Sequence, residues 1–567
     1  MAGKNVHAGA IRILLVVFFI LFLGLTVRLF YWQLVKGSEL SQAAQSQYNS
    51  SKITSAPRGN IIASDGSFWV IRTDAWRIVA NSKSLKNSPG SIADKLAPLL
   101  QGTDASSLTD LLSKNSAWIS LAQKVDDDTK KNIEALSIPG ISFEPEEARY
   151  YPEASSAAQL LGFVGKDSNG DDLGYFGLEG YYNLPLSGKQ GFLGREEDVR
   201  GVPILLDGGH EITAVNGVDL ITSVDKRIQI FAEQKLSEGI EKYGAAGGSV
   251  TIMDPFSGDI LAMANSPSFD PGKYQNYNNS LFKNPVISNS FEPGSIFKVL
   301  VMAAGLDAGV VTPDTVCDIC NGPLKVDKYQ IETWNNKYHP ESTMTDVIVN
   351  SDNVGMAFVG QKLGADNLYD YLDKFGIGSP TGVDLQGESS PKMRKKGTWN
   401  VVDLATASFG QGIAVTGIQM VRAVSAIANG GYLVTPKVVT GIRGDGWEET
   451  VKSDPPKRII STVSAAEVAQ MMVAAANLGE AKWTKIPGFD NVAGKTGTAQ
   501  IPVAGHYDST NTNHSFVGFA PAGKPKFVML VTLQSPTSSP WAAETAAPLW
   551  YSIAKDIFPY LGVQPGN

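Results

Sequence analysis

The sequence predicts an α/β (α+β) chain in three parts: a single transmembrane helix, an N-terminal domain of mixed short strands, and a larger domain in which a mainly antiparallel sheet is covered by helices. Three observations carry this. The chain opens on an apolar run, Ile13 to Val27, between Arg12 and Arg28. Its texture changes near Asp219, from short apolar runs broken by Gly, Asn, Asp and Ser to long helical and strand periods. Beyond that point two β-hairpins are framed by helical stretches, which is the pattern of a sheet with helices packed on it.

The apolar run is short for a span, which needs about 20 residues. Leu29, Phe30, Tyr31, Trp32, Leu34 and Val35 continue it, with Arg28 able to snorkel and the aromatic pair suited to an interface, so we place the anchor at residues 13–35 and a short tail at 1–12. A cleaved signal peptide is the rival. No small-x-small site follows the run directly, and bulky residues continue instead, which favours an uncleaved anchor. Lys4 and Arg12 face Arg28 and Lys36 across the run, so the charge bias sets orientation only weakly.

Residues 36–218 form the second part. Gly37 to about Gln47 reads as a short helix, Pro57-Arg58-Gly59 breaks it, and Lys166 to Asp172 is a turn-rich loop. Residues 219–567 form the third. Leu220 to Val224 reads as a strand and Lys226 to Tyr243 as a helix, with Ile228, Phe231, Leu236 and Ile240 at helical spacing. Ser249–Met253 and Ile260–Met263 make one hairpin around Asp254-Pro-Phe-Ser-Gly258; Ser515–Ala520 and Phe527–Leu533 make another around Pro521–Pro525. Helical text runs near Ile296–Leu306, Gly417–Asn429 and Ala542–Leu561.

Composition narrows the function classes. Hydrophobic residues make up 43% and charged residues 18%, as in globular material with a core. A net charge of -8 with no basic run argues against nucleic acid. Two cysteines do not make a disulfide scaffold.

Three motifs carry chemistry. A serine hydroxyl needs an adjacent base to act as a nucleophile. In Ser295-Ile-Phe-Lys298 a helix would set the lysine one turn on, and Val299 to Ala304 is wholly apolar, so Lys298 is expected to be buried as a neutral amine. The spacing recurs at Ser280, Ser389 and Ser552, but Ser280-Leu-Phe-Lys283 runs into Asn284-Pro285, Ser389-Ser-Pro-Lys392 contains proline, and Ser552 lies in the last helix with no chemistry after it. Read alone, Ser295 is as well explained as a capping serine beside a snorkelling lysine. Ser351-Asp352-Asn353 offers a hydroxyl to relay a proton and an amide to hold a substrate; read alone it is a polar turn, and Ser113 and Ser509 share the spacing. Gly494-Lys495-Thr496-Gly497-Thr498 reads as a strand in which Gly497 admits a substrate backbone, Lys495 supplies charge and Thr498 can bind a carboxylate. Its bland reading is a Gly-rich strand with a surface lysine.

In this order the three motifs match the signature of penicillin-recognising serine acyltransferases. The chain resembles the class B penicillin-binding proteins over nearly all its length beyond the anchor. Gly410-Gln-Gly412, Val415–Gln419, Ala426–Gly431, Arg149-Tyr-Tyr-Pro152, Leu161–Gly165 and Gly177-Leu-Glu-Gly180 look like family text, as does Arg58-Gly59-Asn60-Ile61 with Asp65-Gly66, although Ala63-Ser64 replaces the usual acidic-basic pair. The resemblance implies that 36–218 is a pedestal (dimerisation-type) domain and 219–567 a transpeptidase domain outside the cell. It implies catalytic Ser295, Lys298 and Ser351, and substrate contacts from Asn353, Lys495, Thr496, Gly497 and Thr498. The activity implied is cross-linking of peptidoglycan stem peptides ending in D-Ala-D-Ala, inhibited by β-lactams and needing no cofactor. Family members more often carry serine where Asp352 stands, and many serine β-lactamases carry aspartate there. Ser515–Pro521 and Ile557–Val563 resemble the division-type branch, which works beside a polytopic glycan polymerase among divisome proteins; the elongation-type branch is the runner-up. A β-lactamase would be about half this length and need a deacylating base, for which Glu388 lacks the context. A D,D-carboxypeptidase differs only in its acyl acceptor, a penicillin sensor has several spans, and a silent divisome scaffold would not need intact motifs.

Cys317-Asp-Ile-Cys320 is left as a tight disulfide, two free thiols, or part of a zinc site with His339. Three soft ligands fall short of the four that structural zinc takes, so no metal is expected.

Overall fold

The computed structural model describes residues 5–40, 49–54, 56–100, 102–196, 211–503 and 506–566. The helix α1, Asn5–Phe30, continues as a π-helical turn, Tyr31–Val35. Within it Gly9–Val35 is 27 residues of mean hydropathy 2.8 with none of it buried, long and apolar enough to cross a membrane. Of the helix expected from Gly37, residues 37–40 are helical and 41–47 lie outside the described residues.

Two compact units divide the chain. One holds residues 1–57 and 187–217, the other 58–186 and 218–567. Besides α1, the first contains a three-stranded antiparallel sheet of Asn49–Thr54, Gly191–Glu196 and Glu211–Ile212.

In the second unit, in chain order, the strands of the two large sheets are β1 (Ile61–Ile62), β2 (Phe68–Ala80), β3 (Ile119–Val125), β4 (Ile141–Tyr150), β5 (Asp219–Thr222), β6 (Gly247–Met253), β7 (Ile260–Ser266), β8 (Val439–Gly444), β9 (Trp447–Thr450), β10 (Ala493–Val503), β11 (His506–Ala520) and β12 (Phe527–Gln534). The helices used below are α2 (Lys226–Tyr243), α3 (Lys298–Asp307), α4 (Asn353–Leu363), α5 (Gly417–Ala428) and α6 (Ala546–Tyr560). One sheet runs β9-β8-β5-β1-β2-β3 with β4 also on β2, so it takes strands from both sides of residue 218. The other runs β7-β6-β12-β11-β10, with every neighbouring pair antiparallel.

Local chemistry places these elements. Asp225 caps α2 by accepting from Arg227 N and Ile228 N, and Gly244, at φ +60°, ends it. Along β12 successive side chains face opposite ways. Met529, Val531 and Leu533 join α2 and α6 in one apolar cluster, whereas Val528 and Leu530 join α3, α4 and α5 in another. Each such fully buried side chain stabilises the fold by roughly 1.5–3 kcal/mol. Trp550 of α6 also donates its indole N–H to Met529 O at 3.0 Å. The sheet is thus covered on both faces, and β10 is its edge.

The motif residues of the N-terminal region converge on Glu179, which is fully buried. Arg58 Nε donates to one carboxylate oxygen at 2.8 Å and Arg149 Nε to the other at 2.9 Å. Burial pushes this carboxyl up, but Arg149 and Arg58 outweigh it and hold the pKa below its usual value. Gly59 passes so close to Val218 O that a Cβ would lie 1.9 Å from it.

Candidate active site

Ser295 stands in a 3-10 turn, Gly294–Phe297, and α3 begins only at Lys298. The expected helix over 296–306 is present, but the serine precedes it, because Pro293-Gly294 sets a turn of opposite sense. Gly294 has φ +55°, and its N–H donates to Gly410 O at 3.0 Å. From Lys298 to Leu306 every residue is buried, as the apolar run requires.

Lys298 is therefore an amine inside a core helix. Its Nζ donates to Ser351 O at 2.6 Å and Asn353 Oδ1 at 2.7 Å, with Ser351 Oγ at 3.4 Å. Burial, reinforced by the charge of Lys495, holds its pKa well below 10.5; Asp352 and Glu480 act in the other direction. The second motif is shaped to meet it. Ser351 is forced to φ +54°, a region costly for a residue with a Cβ, and is 3% exposed. Asp352 caps α4 through Oδ1, which accepts from Val354 N at 2.7 Å and Gly355 N at 3.1 Å. That cap starts the helix at Asn353, whose Nδ2 donates to Glu332 O at 2.9 Å. The aspartate at the middle position thus has a structural use.

The third motif lies on β10, the sheet edge. Lys495, 3% exposed, donates from Nζ to Ser351 Oγ at 2.9 Å and lies 3.2 Å from Thr496 O. Burial lowers its pKa too, against Glu480. The close approach at Gly497 is made by the protein itself. A Cβ there would meet Ser515 Oγ at 2.6 Å, Ile296 Cγ2 at 2.9 Å and Pro293 O at 3.1 Å. The residue is small where the 293–296 turn presses on the strand. Thr498 Oγ1 accepts from Ala542 N at 3.1 Å.

All three motifs meet at one cleft of about 300 Å³, with Ser295, Ser351, Asn353, Thr496 and Thr498 on its walls. Sequence reasoning missed other parts of it. Glu480, following a helix that ends at Leu478, accepts from Thr496 Oγ1 at 3.4 Å. Trp334 and Trp541 meet edge to face across the cleft, ring centroids 4.9 Å apart. None of these has a local sequence signature.

The zinc alternative fails. Cys317 and Cys320 are joined in a disulfide and are buried, so neither sulfur is a thiolate ligand, and His339 is left exposed. Among the described residues no group of three or more His, Cys, Asp or Glu side chains is arranged to hold a metal ion.

A serine one helical turn before a buried lysine, a second serine bonded by a second lysine, and a strand edge lining the same cleft are the residue set of a serine acyltransferase of the Ser/Lys type. Comparisons with known proteins agree. The family described as "Penicillin binding protein transpeptidase domain" matches residues 248–558, and "Penicillin-binding Protein dimerisation domain" matches 53–222. The chain is 31% identical to Stage V sporulation protein D of Bacillus subtilis (strain 168), over 98% of this chain and 86% of that protein. It is 30% identical to Peptidoglycan D,D-transpeptidase FtsI of Buchnera aphidicola subsp. Schizaphis graminum, over 80% and 77%. Its fold is similar to a peptidoglycan synthetase from Bifidobacterium adolescentis, with TM-score 0.74 and 27% identity over 92% of this chain and 98% of that one. The chain belongs to the penicillin-binding protein transpeptidase family, in the class B arrangement of a dimerisation domain followed by a transpeptidase domain.

Proposed function

We propose that this chain is a peptidoglycan D,D-transpeptidase that cross-links stem peptides through an acyl-enzyme on Ser295 and is inhibited by β-lactams. The observation that carries the reading is the valence of Lys298. A neutral amine has two N–H groups and one lone pair. Both N–H groups have acceptor-only partners, Ser351 O and Asn353 Oδ1. Ser351 Oγ, at 3.4 Å, is a long third contact, so the lone pair is left for a proton.

Ser295 Oγ attacks the carbonyl carbon of the penultimate D-Ala, and Lys298 takes the hydroxyl proton. Backbone N–H groups of Ser295 and Thr498 receive the oxyanion. Ser351 Oγ accepts from Lys495 Nζ, so its own proton is available for the leaving nitrogen. The C–N bond breaks, D-Ala departs, and Ser351 is reprotonated from Lys298. An amine of a neighbouring stem then attacks the ester, gives its proton to Lys298, and Ser295 leaves with a proton. Lys495, Thr496 and Thr498 hold the terminal carboxylate, and Asn353 orients the substrate amide and Lys298; Gly497 sets the strand's distance from Ser295. A β-lactam presents the same carbonyl and carboxylate but no diffusing leaving group. No cofactor takes part.

Residues 13–35 anchor the chain as a single pass, with 1–12 in the cytoplasm, 36–218 as the pedestal and 219–567 catalysing outside; the family matches and the apolar helix support this reading. The resemblance of Ser515–Pro521 and Ile557–Val563 to the division-type branch supports a septal role beside a polytopic glycan polymerase. The test is labelling of the intact protein with a fluorescent penicillin beside Ser295→Ala. A stable covalent label lost in the variant is the expected result. Absence of label in the intact chain overturns the nucleophile, and a label that hydrolyses within seconds turns the reading to a β-lactamase.

A further inference from the structure

His514 has no role in the chemistry above. It is fully buried on β11, directly opposite Thr498 on β10. Both ring nitrogens are occupied: Nε2 lies 2.8 Å from Thr512 Oγ1 and Nδ1 2.7 Å from Thr545 Oγ1. Thr545, also fully buried, donates to Trp541 O at 3.2 Å. The next residue, Ala542, is the one whose N–H reaches Thr498 Oγ1. Thr512, Trp541 and Thr498 all face the cleft, so the imidazole stands behind three parts of its wall.

Either neutral tautomer of the ring satisfies these contacts, and the one with hydrogen on Nδ1 gives the following arrangement. Burial pushes the imidazole down to about 4 against the pull of the Pro540 carbonyl, so the ring is neutral near pH 7 and one nitrogen carries hydrogen. In this arrangement the Thr545 hydroxyl donates to Trp541 O. Thr545 Oγ1 then accepts from Nδ1–H, and Nε2 accepts from the Thr512 hydroxyl. Further along, Thr498 Oγ1 accepts from Ala542 N–H, which leaves its own hydroxyl proton to be donated into the cleft.

We infer that His514 is a positioning residue for recognition of the substrate's terminal carboxylate. Its neutral ring fixes the 541–545 turn, so that Ala542 N–H orients the Thr498 hydroxyl as a donor to that carboxylate. The inference rests on the proposed role of Thr498. Supporting hydrogen bonds of this kind set how sharply a binding group is aimed.

The test uses the full-length protein and a fluorescent penicillin, whose carboxylate stands in for that of the peptide. Thr545→Val removes the link at constant volume, and His514→Asn keeps a donor at the Nδ1 position. Thr545→Val is expected to lower the second-order acylation constant about 10-fold, the effect of one hydrogen bond to a charged group. The loss falls on binding, with the rate at saturating penicillin changed less than about 3-fold. His514→Asn is expected to restore most of what His514→Leu loses. In a Thr498→Ala background, Thr545→Val is expected to change nothing further. Effects of Thr545→Val and Thr498→Ala that multiply, or wild-type acylation by Thr545→Val, overturn the inference. Wild-type acylation by Thr498→Ala alone overturns instead the reading of Thr498 as a carboxylate ligand, and the inference with it.

Discussion

Replacing Lys298 by methionine separates the base from the fold. Methionine fills nearly the same unbranched space at the start of a helix whose next six residues are apolar. Chemistry loses its proton acceptor, and a positioned general base contributes about 10²–10⁴-fold, so acylation by penicillin is expected to fall about 10³-fold. Stability changes little because two effects oppose. The hydrogen bonds to Ser351 O and Asn353 Oδ1 are lost, at about 1 kcal/mol each. Against that, the amine's desolvation disappears, and exchanging a buried ionisable group for an apolar one is often neutral or favourable. The net is within about 2 kcal/mol, a Tm shift of a few degrees.

The pH dependence gives a second handle. The active amine is neutral, so wild-type acylation rises with pH through a folded-state pKa that lies below 10.5, and this limb is absent from Lys298→Met. The sign for stability follows. Because the folded pKa is depressed, the unfolded chain binds more protons between it and 10.5, so the wild type gains stability as pH rises through that window and the variant does not. Stopped-flow acylation and thermal melts across pH read both. A variant that acylates within about ten-fold of wild type, or keeps the alkaline rise, refutes Lys298 as the base.

Three further outcomes are expected. Gly497→Ala places a methyl 2.6 Å from Ser515 Oγ and 2.9 Å from Ile296; overpacking of this kind costs about 1–3 kcal/mol, and melting and labelling should fall together as β10 moves off the nucleophile's turn. Asp352→Ala removes the cap of α4 and should cost about 1 kcal/mol by thermal melt, whereas Asp352→Ser, which keeps a capping oxygen, should label with penicillin nearly as the wild type does. Cys317→Ser with Cys320→Ser should lower stability by about 2 kcal/mol, the chain-entropy value for so short a loop, while a chelator leaves the melt of the wild type unchanged.

What could be read in the sequence follows the range of each interaction. The helix over Lys226–Tyr243 and both hairpins were legible because periodicity and turn residues are local, and the observed elements fall on those stretches. Lys298 was legible because six apolar residues follow it directly in the chain. Its partners were legible only as a pattern: nothing local in Ser351-Asp352-Asn353 reveals a serine at positive φ or an aspartate serving as a cap. Glu480, Trp334 and Trp541 reach the cleft from three separate segments, and His514 meets Thr545 across 31 residues, so their roles appear only once the sheet edge is built. Gly497 was marked correctly as a place of close approach, but an approach of chain to chain leaves the same glycine as an approach of ligand to chain.

The sheet that mixes β1–β4 with β5, β8 and β9 bears on synthesis. The chain emerges from the ribosome N-terminus first, and β1 finds β5 only after residue 219 has appeared, while β5 in turn waits for β8 at 439–444. The N-terminal region therefore cannot be finished early and handed on as an independent module. It stays open along one edge until all but the last motif has been made, and a truncation after residue 218 would expose Ile61 and Ile62 where β5 belongs. Such a nascent edge invites pairing with other strands, so the two halves of this chain are coupled in folding over most of its length.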